Sequence, residues 1–352
     1  MRLDLTQEAW RLAARIVDIE SVSGGERALA DAIEQALLPS PHLTVLRDGN
    51  AVVARTDLGH PERVVIAGHI DTVPVADNLP SKVSGDRLYG CGTSDMKSSV
   101  AVALRMAARL TRPNRDITYI FYDCEEIEAE RNGLRRLSLA HPDWLSADFA
   151  VLMEPTDGLI EGGCQGTLRA EVVARGTRAH SARSWFGVNA IHGILPILTI
   201  LDSYEARRPV VDGLEYHEGL NAVRVRGGVA GNVIPDECVV TVNYRFAPDL
   251  DLARARQHVR DVFAGFDVLF TDGAPGARPG LTHPAAAAFA SAVGGALRAK
   301  LGWTDVALFS ALGVPAVNYG PGDPNLAHQR EEWVSLPKIE ECEQAMLAWL
   351  SA

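Results

Sequence analysis

His69 and Asp71 lie two residues apart, directly after the β-branched residues 64–66, which predict a buried strand of parallel type that ends at Gly68. Because side chains alternate along extended chain, both polar groups project to the same side. Open α/β sheets bind their ligands at this carboxyl end of a strand. A histidine metal ligand commonly has a carboxylate near its other ring nitrogen, so we predict a metal site here. The alternative from these residues alone is a His-Asp pair that caps the turn before Pro74.

Further polar side chains follow other predicted strands or open a predicted helix. These are the carboxylates of Asp95, Glu125, Glu126 and Glu154, together with the late histidine His328. Clustered carboxylates repel one another, so their convergence makes most sense around cations. Two imidazoles and several carboxylates form a nitrogen and oxygen donor set that suits zinc, with cobalt or manganese as substitutes.

Each of these residues also has an ordinary structural interpretation. Asp95 could cap a helix, Glu125 and Glu126 could form a solvated first helical turn, and Glu154 or His328 could lie on the surface. Taken together, several independent accidents at sheet-edge positions are a poorer explanation than one shared site.

The elements that must position these residues follow a repeated pattern. Strands are predicted at 50–55, 63–67, 117–122 and 149–153, with helices at 8–19, 26–38 and 96–110. Strands that each end in a polar group and alternate with helices are typical of an α/β enzyme.

After Thr167 the pattern changes to that of a split βαβ, or ferredoxin-like, unit. Its predicted strands are 168–174, 222–229, 238–246 and 268–271, and its predicted helices are 188–201 and 252–263. A turn-rich linker covers 272–280, and a helix at 285–300, a strand at 316–319 and a terminal helix follow. We therefore predict a catalytic domain made of residues 1–167 and 281–352, with residues 168–280 inserted as a smaller domain.

The composition limits the classes of partner. A chain of 352 residues with a formal net charge of -11 and no basic tract argues against nucleic acid and against anionic membranes. The first residues lack a signal-peptide layout and no apolar stretch reaches membrane-spanning length, so we expect a cytoplasmic protein. The five cysteines are widely spaced and predict reduced, buried thiols.

The order of these motifs resembles one known family. The segments are Gly68-His69-Ile70-Asp71-Thr72, Gly92-Thr93-Ser94-Asp95-Met96-Lys97, Glu125-Glu126, Glu154-Pro155-Thr156 and Ala179-His180-Ser181-Ala182. They occur in the order seen in the M20 metallopeptidases, a family of di-zinc aminoacylases and carboxypeptidases, and the resemblance spans nearly the whole chain. It implies a zinc-exopeptidase-like catalytic domain with a mixed central sheet, plus an inserted ferredoxin-like (βαββαβ) dimerisation or lid domain.

The resemblance also implies roles for individual residues. Asp95 would bridge two zinc ions, with His69 and Glu154 completing one site and Glu126 and His328 completing the other. Cobalt could substitute for zinc. Asp71 would orient His69. Spacing alone does not distinguish Glu125 from Glu126 as the ligand, whereas the resemblance makes Glu125 the general base.

By the same resemblance the substrate is a small N-succinyl amino acid, and the chain forms a homodimer through its inserted domain. His180 would stabilise the oxyanion from the partner subunit, although by itself it reads as a strand-end histidine. Arginine and amide donors should line a cleft for a substrate with carboxylates at both ends. Asn232, Arg245, Thr304 and Asn325 are the candidates, while Arg245 could equally form a surface salt bridge and Asn232 a turn.

Other functions remain to be weighed against this one. Within the same family, an acetylornithine deacetylase, an aminoacylase or a dipeptidase would carry the same metal ligands. A non-catalytic zinc-binding or dimerisation protein predicts the loss of a ligand or of the base, yet all are present. The Gly90-Cys91-Gly92 stretch lacks the third glycine of a dinucleotide-binding fingerprint, and the G-x-S-x-G elbow of serine hydrolases does not occur.

Overall fold

A computed structural model describes residues 3–351. Its strands are β1 (Thr44–Asp48), β2 (Ala51–Arg55), β3 (Arg63–His69), β4 (Lys82–Ser84), β5 (Arg87–Tyr89), β6 (Asp116–Tyr122), β7 (Phe149–Leu152), β8 (Ile160–Gly162), β9 (Gly166–Arg175), β10 (Ala179–His180), β11 (Val210–Val211), β12 (Leu214–Glu215), β13 (Gly219–Gly227), β14 (Val233–Ile234), β15 (Glu237–Phe246), β16 (Asp267–Ala274), β17 (Leu297–Ala299), β18 (Ala316–Asn318) and β19 (Trp333–Ser335). Its α-helices are α1 (Ala9–Val17), α2 (Arg27–Leu37), α3 (Ser98–Arg109), α4 (Gly133–Ala140), α5 (Leu195–Asp202), α6 (Leu252–Val262), α7 (Pro284–Val293), α8 (Val306–Ala311) and α9 (Leu336–Ser351).

The chain divides into two compact units. Residues 3–162, 280–298 and 304–351 form the first unit, and residues 163–279 and 299–303 form the second. The sequence predicts an inserted region at 168–280, and in the structure the chain crosses between the units after residues 162 and 279. A short return to the second unit at 299–303 has no counterpart in the sequence-based division.

The first unit is built on a mixed sheet with the strand order β1-β2-β6-β3-β7-β18-β8-β17. Strands β6, β3, β7 and β18 run parallel to one another, whereas β1, β2 and β8 pair antiparallel to their neighbours. The central parallel strands are almost wholly buried, which explains their continuous apolar runs. This large mixed sheet in an α/β unit confirms the predicted fold class.

Helices cover the sheet and complete the core of the first unit. Helix α3 packs against α1 and α9, and α7 packs against α9. Most residues of α3 are buried, in agreement with its largely apolar sequence. Leu12, Val100, Ile66 and Met346 are among the fully buried side chains of this core. The helices therefore fix the strands whose ends carry the polar residues.

The second unit contains the split βαβ order. Its sheet has the strand order β13-β15-β9-β16, and each pairing is antiparallel. Along the chain, the elements β9, α5, β13, β15, α6 and β16 give the βαββαβ sequence of a ferredoxin-like unit. Its own core includes Val172, Val240, Phe246 and Val259.

Two helix predictions were wrong in their extent. The helix expected at 285–300 ends at Val293, because Gly294 adopts a left-handed conformation with φ of 70° and ends the helix, and strand β17 then begins at Leu297. The helix expected at 188–201 begins only at Leu195, because residue 188 is still extended and bridges Thr177.

Within residues 3–351, no helix combines the length and the apolar character needed to cross a lipid bilayer. The five cysteines all lie within these residues as reduced, buried thiols, as the sequence predicted.

Candidate metal centre

The parallel strands deliver polar groups to one edge of the central sheet. His69 is the last residue of β3, Glu125 and Glu126 follow β6, and Glu154 follows β7. The strand pairing extends to this edge, since the Ile70 amide donates to the Tyr122 carbonyl oxygen at 2.8 Å. Because these strands are parallel neighbours, their carboxyl ends meet, and the side chains that follow them are brought together.

One cluster of donor atoms comprises His69, Asp95 and Glu154. One ligand atom from each lies within 4.8 Å of the others. The His69 Nε2 atom is 3.1 Å from Asp95 Oδ1, and the His69 side chain is only 1% exposed. The Nδ1 atom of His69 is 3.1 Å from the backbone oxygen of Asp71, so a proton on Nδ1 leaves the Nε2 lone pair directed at the cluster.

A second cluster comprises Asp95, Glu126 and His328, again within 4.8 Å of one another. The His328 Nε2 atom is 2.8 Å from Glu126 Oε1 and 3.6 Å from Asp95 Oδ2. The two oxygens of Asp95 therefore face different imidazoles. The hydrogen bond to Glu126 raises the pKa of His328 to about 9. Asp95 is the residue that the two clusters share.

Asp71 is fully buried and connects the end of β3 to the loop after β6. Its Oδ1 accepts the Glu125 amide at 3.0 Å, and its Oδ2 accepts the Glu126 amide at 3.1 Å and the Ser23 hydroxyl at 2.7 Å. Burial alone would raise the pKa of Asp71, but hydrogen bonds from His69, Ser23 and the Glu125 amide outweigh it and lower the pKa. One carboxylate thus orients three groups of the site.

The loop that carries Asp95 is held by a carboxylate from the far end of the sequence. Glu332 accepts the amides of Gly92 at 3.0 Å, Ser94 at 2.7 Å and Asp95 at 3.0 Å. Gly92 has a φ of 79°, a conformation that glycine adopts without strain. Burial raises the pKa of Glu332 to about 7.

Glu125 has a different environment from Glu126. Burial raises the pKa of Glu125 well above its ordinary value, and the nearby carboxylates of Glu154 and Asp305 add to this effect. Asp305 is itself buried and accepts a hydrogen bond from Asn132 at 2.8 Å. A carboxyl group with a raised pKa can take up and release a proton near neutral pH.

The donor set fits divalent cations. Two clusters of imidazole nitrogen and carboxylate oxygen share one carboxylate, and the carboxylates would repel one another without positive charge between them. The mixture of histidine and acidic ligands is that of zinc sites, and two clusters around one shared carboxylate can hold two cations.

The remaining sequence candidates lie in different places. Thr304 is buried in the first unit, where its hydroxyl donates to Asn318 at 2.8 Å, and Asn325 is exposed on the segment before His328. His180, Asn232 and Arg245 are exposed residues of the second unit. Within that unit the Ser181 amide donates to the Asn232 oxygen at 2.9 Å, so His180 and Asn232 are neighbours.

Three contributors were missed from the sequence. Glu332, Asp305 and Ser23 each contact or surround the site, but none follows a predicted strand in the central sheet. The position of Glu332 four residues after His328 could have indicated its role, because acidic residues near a metal ligand often hold the ligand in place.

The sequence profile of peptidase family M20/M25/M40 matches residues 65–352 of this chain. A protein of Mycobacterium tuberculosis, provisionally named succinyl-diaminopimelate desuccinylase DapE, is 57% identical over 96% of this chain and 96% of its own length. A succinyl-diaminopimelate desuccinylase of Corynebacterium glutamicum is 48% identical over 99% of this chain and 98% of its own length.

Solved structures share the fold at low sequence identity. An M20 family metallo-carboxypeptidase of Sulfolobus solfataricus superimposes with a TM-score of 0.80 at 16% identity, over 97% of this chain and 98% of its own. A dinuclear metal-binding M20 peptidase of Bacillus subtilis superimposes with a TM-score of 0.69 at 20% identity, over 97% of this chain and 96% of its own.

Proposed function

We propose that this chain, which belongs to peptidase family M20/M25/M40, removes the succinyl group from N-succinyl-LL-2,6-diaminopimelate and releases succinate and LL-diaminopimelate. The observation that carries the proposal is the pair of donor clusters that share Asp95 at the edge of the sheet. The names of the relatives at 57% and 48% identity support this substrate over that of an acetylornithine deacetylase, an aminoacylase or a dipeptidase. The reaction belongs to diaminopimelate and lysine biosynthesis.

We assign two zinc ions to each subunit, with cobalt as a substitute. His69, Asp95 and Glu154 would hold one ion, and Asp95, Glu126 and His328 the other. Bound zinc supplies Lewis acidity, which polarises a carbonyl and lowers the pKa of water to about 7. The dinuclear metal site of the Bacillus subtilis peptidase supports the assignment.

The residues of the chain supply the proton transfers and the orientation. Glu125 accepts the proton of the attacking water and then donates it to the departing amine, and the raised pKa of Glu125 suits it to both steps. Asp71 holds the backbone of Glu125 and Glu126 and orients His69. The new C–O bond forms first and gives a tetrahedral oxyanion, and the amide C–N bond then breaks as the amine nitrogen takes the proton from Glu125.

The substitution Glu125→Gln tests the role of Glu125. Because Glu125 is assigned to proton transfer, we expect both cations to remain while turnover falls by a factor of about 10² to 10⁴. Turnover and metal content are measured on the same sample, with Glu128→Gln as an exposed control of equal charge change. Loss of zinc with surviving activity would overturn the assignment.

We further propose that the chain forms a homodimer through its second unit and that His180 stabilises the oxyanion in the partner's site. The edge strand β13 exposes Val223 and Val225, which are 59% and 51% exposed, and α5 exposes Leu195 at 67%. An exposed strand edge beside apolar side chains favours association. If sites are shared, mixtures of His180→Ala and Glu125→Gln chains recover part of the activity, and a site built from one chain gives no recovery.

We assign substrate recognition to Asn232, Arg245 and Asn325 as donors for the substrate's carboxylates. Asn232, Arg245 and Asn325 are exposed and therefore accessible to a ligand. Because Thr304 is buried and bonded to Asn318, we expect it to act by holding its segment, which also carries Asp305. We also propose a cytoplasmic location, supported by the five reduced, buried thiols.

The decisive experiment compares hydrolysis of N-succinyl-LL-diaminopimelate with that of N-acetylornithine and simple N-acetyl amino acids. Metal content is measured on the same sample before and after chelation. We expect the succinyl substrate to be strongly preferred and its hydrolysis to be lost on chelation and restored by Zn²⁺ or Co²⁺. Equal rates with succinyl and acetyl substrates would refute the assigned substrate.

A further inference from the structure

We propose that Glu332 is a positioning residue that fixes the spacing between Asp95 and His328 and thereby sets the affinity of the second cation site. The inference rests on the two-cation centre of the proposed function. Glu332 is 2% exposed, and its two carboxylate oxygens accept backbone amides of three residues in the loop that carries Asp95. Glu332 belongs to neither donor cluster, and it bonds to Asp95 through the Asp95 backbone amide.

Glu332 lies four residues after His328, and this segment is closed on itself. The Glu332 amide donates to the Gln329 carbonyl oxygen at 3.2 Å, and the Gly90 amide donates to the Glu332 carbonyl oxygen at 3.1 Å. Both the side chain and the backbone of Glu332 therefore join the His328 segment to the Asp95 loop. A shift of either segment should change the distance between Asp95 and His328.

Ser94 provides a second connection between the same two segments. Its hydroxyl accepts the Asp323 amide at 2.9 Å, and its proton has two acceptors within reach, the carbonyl oxygens of Asp323 at 3.2 Å and of Trp333 at 3.3 Å. The segment that carries His328 is thus anchored on both sides, at Asp323 and at residues 332 and 333. The groups that these three residues contact all belong to the loop that carries Asp95.

The two cation sites depend unequally on these anchors. His69 and Glu154 lie at the ends of β3 and β7, which the central sheet holds in place. His328 lies on irregular chain, has a φ of 63° and is 50% exposed, so its place depends on the anchors around it. Removing the Glu332 anchor should therefore weaken the Asp95, Glu126 and His328 site more than the other.

A carboxylate is required because several N–H donors converge on it. In Glu332→Gln, the amide nitrogen would replace one of the two accepting oxygens and would itself face an N–H group. The variant should retain the size of the side chain while losing at least one anchor. Glu331 is its exposed neighbour, so Glu331→Gln is a matched control with the same change of charge.

The test is a Co²⁺ titration of the metal-free protein in a chelator buffer, followed by visible absorption. For Glu332→Gln we expect the second binding constant to fall about 10- to 100-fold, as for other residues that orient metal ligands. The first constant should stay within about threefold of the parent, and Glu331→Gln should change neither. The unfolding midpoint of the metal-free variant is measured alongside.

Two results would overturn the proposal: both constants unchanged in Glu332→Gln, or an equal fall in both. If Glu332→Gln does not fold, Ser94→Ala removes the other connection and should also weaken the second site selectively. Binding constants of Ser94→Ala that both equal those of the parent, or that both fall by the same factor, count against the proposal. The titration uses no substrate. Two cations bound without hydrolysis of the succinyl substrate would therefore refute the proposed function alone.

Discussion

Replacing Asp71 by asparagine should weaken metal binding although none of the assigned metal ligands is changed. The carboxylate of Asp71 accepts the Glu125 amide through Oδ1, and the Glu126 amide and Ser23 hydroxyl through Oδ2. Oδ1 is also 3.5 Å from Nδ1 of His69. Asparagine retains only one accepting oxygen, so its amide nitrogen must face at least one of these donors.

The magnitude follows from these contacts. If the remaining oxygen takes the place of Oδ2, the Glu125 amide is left as a buried donor without an acceptor, which costs about 1–3 kcal/mol. The negative charge beside His69 is lost as well. Substitutions of residues that orient metal ligands typically cost about 10- to 100-fold in affinity, or about 1.4–2.8 kcal/mol. We therefore expect a fall in affinity of this size for the cluster that contains His69.

The assay is competition between the protein and a chelator for Zn²⁺ or Co²⁺ at pH 7. Asp86→Asn is the matched control, because Asp86 is exposed and the change of charge is the same. An affinity of Asp71→Asn within about threefold of the parent, with normal folding, would refute the orienting role of Asp71.

Three further substitutions test the framework around the site. Hydrogen bonds from the Leu58 amide and the Thr56 hydroxyl outweigh burial and lower the pKa of Asp116 below 3.8. The ionised Asp116 therefore stabilises the folded protein above pH 3.8, and this stabilisation is lost as the pH falls through the lowered pKa. Urea unfolding should show Asp116→Asn about 1–3 kcal/mol less stable at pH 7 and equal to the parent at low pH, and a deficit independent of pH would contradict this. In Gly320→Ala the Cβ atom would lie 2.5 Å from the backbone oxygen of Glu154, so the free energy of unfolding should fall by about 1–3 kcal/mol. An unchanged midpoint of thermal unfolding would contradict this contact. Glu343→Gln removes the carboxylate 2.8 Å from buried Arg105, so the free energy of unfolding in urea should fall by about 3–5 kcal/mol. A fall of less than about 1 kcal/mol would show that the ion pair contributes little to stability.

The α/β class and the ferredoxin-like order of the second unit could be predicted because both depend on local patterns. A buried parallel strand needs a continuous apolar run, as in β3 and β6, and an amphipathic helix needs apolar residues on one face. Helix ends were less well predicted. Helix α7 begins at Pro284 and ends at Val293, because Gly294, a glycine inside an alanine-rich run, sets the boundary.

The positions of the candidate site residues along the chain were also readable. His69 ends its strand, Glu125 and Glu154 each follow one, and the parallel sheet brings these strand ends together. Sequence spacing did not distinguish Glu125 from Glu126. In the structure their contacts differ, because Glu126 is bonded to His328 while Glu125 lies near His69 and the carboxylates of Glu154 and Asp305.

The sequence by itself determined the strands, their polar ends and the chemical nature of the donor set, because side-chain alternation and residue type are local properties. Only the tertiary structure decided that Glu332 would hold the Asp95 loop from 237 residues away, and that Asp71 would join three groups. Thr304 was similarly placed in the interior by its bond to Asn318. Such contacts depend on the packing of distant segments, and the geometry of that packing is set by the whole fold and by no single stretch of chain.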